Sequence, residues 1–129
     1  MALVINDRVK ENSTTSGTGN ITLAGVASGQ GNVTFNSGIG TSNTTYYCIF
    51  EQGTNTFEIG LGTLSGSTTL ERTTVINNSS GNTSKISFTG GTLDVFCTMP
   101  ASKSVYLDST GTPVGAASAG FALAMAVAL

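Results

Sequence analysis

Histidine and tryptophan are absent from this 129-residue chain, and charge is scarce: five Lys or Arg against seven Asp or Glu, 9% of residues, net −2. An ordinary soluble domain carries about 25% charged residues. Each absence excludes a class of function. Without histidine there is no imidazole general base, no Ser–His pair and no His metal ligand. Five scattered cations cannot build the phosphate-neutralising patch that a nucleic-acid partner requires. Long apolar runs are missing too. Met1-Ala2-Leu3-Val4-Ile5 stops at Asn6-Asp7-Arg8, short of the apolar core of a secretory signal. The uncharged stretch from Gly115 to Leu129 falls short of the about 20 residues that span a bilayer. The expectation is a chain made in the cytosol, with neither nucleic acid nor membrane as partner.

Cysteine is limited to Cys48 and Cys97. In a cytosol-made chain these read as two buried thiols acting as small hydrophobes, ahead of a disulfide whose geometry no sequence can establish.

What the chain does have is Thr, Ser, Asn and Gly, about half of its residues. Short β-rich runs alternate with clusters of these residues: Leu3–Val9, Asn20–Leu23, Val33–Phe35, Thr44–Phe50, Thr56–Leu61, Thr69–Ile76, Lys85–Phe88, Leu93–Met99 and Ser104–Leu107. Spacing near ten residues with turn signals between predicts an all-β antiparallel sandwich or barrel. No segment shows a capped helical period. Alternation places Phe57, Ile59 and Leu61 on one face of a strand, with Glu58, Gly60 and Gly62 on the other. Thr44–Phe50 is apolar on both faces, Tyr46, Cys48 and Phe50 on one and Tyr47 and Ile49 on the other, so it has to be covered on both sides. With so few charges to guard strand edges, closure into a barrel or burial against other subunits has to hide them.

The body is expected over residues 1–108, followed over 109–129 by a turn and an apolar C-terminal strand or arm. Phe121, Leu123, Met125, Val127 and Leu129 alternate with alanines. A period of two lines the large side chains along one face of a strand. These five, with Tyr47 and Ile49, are the candidate contact residues.

Catalytic patterns fail in turn. Gly17-Thr18-Gly19, Gly38-Ile39-Gly40 and Gly60-Leu61-Gly62 lack the third glycine of a dinucleotide loop, and no Gly-x-Ser-x-Gly occurs. Glu51, Glu58, Glu71, Asp94 and Asp108 could supply paired carboxylates for glycoside cleavage, but read more simply as solvated strand or turn positions. No cofactor or metal is implied. The expectation is a non-enzymatic protein that works by contact.

One ordered series narrows this. Ile5-Asn6-Asp7-Arg8-Val9-Lys10-Glu11 leads into Thr14-Thr15-Ser16-Gly17-Thr18-Gly19-Asn20-Ile21-Thr22-Leu23-Ala24-Gly25. Asn43-Thr44-Thr45-Tyr46-Tyr47-Cys48-Ile49, Phe57-Glu58-Ile59-Gly60-Leu61-Gly62-Thr63 and Leu70-Glu71-Arg72-Thr73-Thr74-Val75-Ile76 follow. Phe88-Thr89-Gly90-Gly91-Thr92-Leu93-Asp94-Val95-Phe96-Cys97-Thr98-Met99-Pro100-Ala101 closes it. Over roughly residues 3 to 107 this order resembles a small β-domain of virion structural proteins of tailed bacteriophages. Such domains often carry Trp where this chain has Phe57, and they bring no catalytic residues to carry over. The resemblance implies a virion protein, made in the host cytoplasm, whose partners are itself (a homo-oligomer, a trimer as first expectation) and other virion proteins. At this length a small accessory protein (head decoration or cement, or a neck or tail component) fits better than a tail fibre or receptor-binding adhesin. A carbohydrate-binding module fits less well, since it would want exposed tryptophan.

Overall fold

The computed structural model describes residues 1–115. The expected C-terminal strand and its five contact residues, Phe121, Leu123, Met125, Val127 and Leu129, lie outside the described residues. The chain divides at Met99 and Pro100, earlier than the boundary expected at residue 108.

The first unit is an antiparallel, nearly closed sheet, as the strand spacing predicts. Its strands are β1 (Lys10–Ser13), β2 (Ser16–Gly17), β3 (Ile21–Thr22), β4 (Thr44–Glu51), β5 (Phe57–Leu64), β6 (Thr69–Asn78), β7 (Phe88–Thr89) and β8 (Leu93–Cys97). Six of them form one sheet in the order β1-β8-β4-β5-β6-β3, while β2 pairs with β7. The two edges of the large sheet approach each other through the residues that continue β3. Leu23 N–H donates to Thr68 O at 2.8 Å on the β6 side; Ala24 N–H donates to Asn12 O at 2.8 Å, and Asn12 N–H to Gly25 O at 2.9 Å, on the β1 side. The main-chain groups that an open edge would offer to other strands are thus used within the chain.

Curvature comes from β6. It has ten residues against eight in β5. The surplus is taken up by two irregularities, opposite Ile59/Gly60 and Leu61/Gly62. Bulges bend the strand that carries them and increase its twist, which is what a small barrel needs.

Three expected strands differ. Leu3–Val9 makes only isolated bridges, Leu3 with Thr44 and Val9 with Val33, and regular pairing begins at Lys10. Val33–Phe35 is no strand: Phe35–Gly38 forms a one-turn helix, α1, whose first N–H groups are met by side chains. Thr34 Oγ1 accepts from Ser37 N–H at 3.1 Å and a Glu11 carboxylate oxygen accepts from Phe35 N–H at 2.8 Å. That carboxylate comes from a distant strand, so the helix left no local periodic signal. In Lys85–Phe88 only Phe88 enters a ladder.

The core gathers Val9, Ile21, Leu23, Phe35, Ile39, Tyr47, Ile49, Leu64, Leu70, Phe88, Leu93 and Val95. Phe35 and Ile39 come from α1 and its C-cap, and Phe88 from the long connection between β6 and β8. Segments outside the six-stranded sheet therefore contribute part of the apolar filling that a barrel of this size requires.

The second unit, described over residues 100–115, has a 3-10 turn at Ala101–Lys103 and a hairpin of β9 (Tyr106–Leu107) with β10 (Pro113–Val114). Asp108 organises the hairpin loop. One carboxylate oxygen accepts from Thr110 Oγ1 at 2.7 Å, Thr110 N–H at 2.8 Å and Thr112 N–H at 2.9 Å. The Thr110 hydroxyl and these amides hold its pKa below the usual carboxylate value. Val105, Tyr106 and Leu107 are each more than half exposed.

Candidate interaction face

Strand β5 is turned the opposite way from ordinary expectation. Glu58, Gly60, Gly62 and Leu64 face the core, while Phe57, Ile59 and Leu61 face outward and are half-buried. The cause is Tyr47 on the neighbouring strand. Its ring lies across β5, so close that a Cβ on Gly60 would stand 2.5 Å from the phenol oxygen and one on Gly62 would stand 2.9 Å from a ring carbon. Two glycines make the slot, and the phenol O–H then donates to a Glu58 oxygen at 2.7 Å.

Glu58 and Arg72 are both fully buried and paired at 2.9 Å, correcting the reading of Glu58 as solvated. Ile86 N–H donates at 2.7 Å to the same carboxylate oxygen that Arg72 contacts. The guanidinium donates further to the carbonyls of Gly19 (3.0 Å), Ile86 (2.9 Å) and Gly17 (3.2 Å), and sits 5.5 Å from the centre of the Phe88 ring. Burial, and then the Glu58 charge, drive the Tyr47 pKa far above its ordinary value, so Tyr47 remains a donor. No buried side-chain nitrogen or oxygen among the described residues lacks a partner, which is the condition under which a buried pair is tolerable.

Two further glutamates expected in solvent or left unassigned play the same part. Glu11 accepts from Gly25 N–H at 3.1 Å and Phe35 N–H at 2.8 Å. Glu51, 2% exposed, accepts from the hydroxyl of Thr89 and from its N–H at 3.1 Å. The Thr89 hydroxyl, with the Thr89 and Gly91 amides, lowers the Glu51 pKa from its ordinary 4.5. A carboxylate whose folded pKa is depressed stabilises the fold above its unfolded pKa, and that contribution disappears as pH falls through the depressed value. Urea midpoints measured from neutrality down to acid should therefore decline below about pH 4.5. A Glu51→Gln variant should be less stable at neutral pH and show a shallower decline.

These three carboxylates are occupied in holding the fold. A cleft of about 420 Å³ is lined by Glu11, Leu23, Ala24, Gly25, Thr34 and Asn36 among others, but both Glu11 oxygens are taken. A second, of about 230 Å³, holds Arg8, Lys10, Asn32, Phe96 and Cys97. Its cations are engaged: Arg8 donates to the Gln30 and Gly31 carbonyls, and Lys10 stands 3.5 Å from Asp94. Among the described residues no three His, Cys, Asp or Glu gather as metal ligands, and no helix is long and apolar enough to cross a membrane.

The outer surface of the sheet is different. Tyr46, Cys48 and Phe50 of β4 stand opposite Leu61, Ile59 and Phe57 of β5, and on the other side Cys48 stands opposite Phe96 of β8. Directly opposed residues share a face, so these seven form one apolar field, each of them partly buried. Cys48 is at its centre. Burial pushes that thiol up to about 11, which makes it an inert apolar group. Cys97 lies on the core side, 3.4 Å from Thr45 Oγ1, and both cysteines are free. The two thiols are thus unpaired, as expected, but each is partly rather than fully buried. Around the field the outward side chains turn polar, among them Thr44, Thr63, Thr74 and Lys10. Asp94 is neutralised by Lys10 and accepts from Asn12 at 2.8 Å and Gln52 at 3.2 Å.

Strand Thr44–Phe50 is apolar on both faces, as the sequence indicates, but Tyr47 and Ile49 are the inward pair, fully buried in this chain's own core. They are unavailable to a partner; Tyr46, Cys48 and Phe50 carry the outward face instead. Pairing of Tyr47 with Glu58 across strands fixed that sidedness, and no local pattern announces it. Comparisons with known protein families, curated proteins and solved structures return no match for the chain.

Proposed function

We propose that the protein is a non-enzymatic structural protein of a tailed-bacteriophage virion that acts by protein–protein contact. Its place is that of a small accessory protein: head decoration or cement, or a neck or tail component. The observation that carries the contact reading is the outward field of Tyr46, Cys48, Phe50, Phe57, Ile59, Leu61 and Phe96. Soluble monomers rarely leave a contiguous apolar patch of this kind uncovered, and an apolar centre with a polar rim is the anatomy of a protein interface. The virion assignment rests on the ordered resemblance of residues 3 to 107.

Four aromatic rings on one face also suit a sugar-binding surface. Cys48, Ile59 and Leu61 fill the spaces between the rings, where a saccharide would need hydrogen-bonding groups, so the protein-contact reading is preferred. The test is to purify phage particles from cells expressing a tagged copy and to count copies per particle by quantitative mass spectrometry, with labelled particles viewed by electron microscopy. Hundreds of copies indicate a head protein, and a few to dozens indicate neck, tail or fibre. Absence from particles, or retention on a polysaccharide column that Phe57→Ala abolishes, would overturn the proposal.

A further inference from the structure

We draw no further inference here: the strongest candidate, the outward apolar field centred on Cys48 across strands β8, β4 and β5, is a partly buried sheet face, and nothing in the structure shows what covers it.

Discussion

Replacing Arg72 with methionine is expected to lower the unfolding free energy by about 3–5 kcal/mol, the range found when one partner of a buried ion pair is removed. Methionine keeps much of the side-chain volume, so the loss is electrostatic. Glu58 would be left fully buried, with its carboxylate still receiving Tyr47 and Ile86 but without the charge that balances it. The carbonyls of Gly17, Gly19 and Ile86 would lose their donor at the same time. Against a total stability of about 5–15 kcal/mol for a domain, this is enough to leave a large unfolded fraction at physiological temperature. Urea denaturation followed by circular dichroism measures it. The double variant Arg72→Met, Glu58→Leu should cost less than the sum of its two single changes, with a coupling of about 1–3 kcal/mol. A single-variant loss below about 1 kcal/mol, typical of an exposed pair, would show that water reaches these groups.

The second large effect is steric. Gly60→Ala puts a methyl 2.5 Å from Thr74 O and 2.5 Å from the Tyr47 phenol oxygen. One obstacle is backbone on the bulged strand and the other belongs to a ring held by Glu58, so neither yields easily. Overpacking of this kind costs about 1–3 kcal/mol, and Gly60→Ala should lie at the upper end. Gly66→Ala is the control: the nearest atom to a Cβ there is 3.9 Å away and its φ lies outside the left-handed region, so it should be neutral or stabilising by a few tenths of a kcal/mol. Thermal melts of the two variants separate a tight slot from a general dislike of alanine in this chain.

These two sites also mark where the sequence stops being readable. The period of two along β4, β5 and β8, the turn clusters and the shortage of edge charges point to an antiparallel all-β body, sandwich or barrel, and the structure is a nearly closed sheet. Which face of β5 turns inward is a different kind of information. Local rules put Phe57, Ile59 and Leu61 inside and Glu58 with two glycines outside. The reverse holds because Tyr47 needs the glycine slot and Glu58 needs Arg72, partners on different strands. The same reason hid the outward field, since recognising Tyr46, Cys48 and Phe50 as exterior required knowing that Tyr47 and Ile49 were core. Helix α1 was hidden by its dependence on Glu11, a residue more than twenty positions away.

The glutamate clamps have a consequence for how such a chain can change over generations. Glu11, Glu51 and Glu58 reach from the barrel wall and grip main-chain amides of Gly25, Phe35, Thr89 and Ile86; only at Thr89 does the gripped residue's own side chain join in. An amide is present at every residue except proline. The connecting segments are therefore held in part by a property that nearly all amino acids share, and their side chains outside the core, unlike Phe35, Ile86 and Phe88, are left free to drift. The wall can stay constant while the loop surface it displays is rewritten, and proline at a gripped position is the substitution this arrangement forbids.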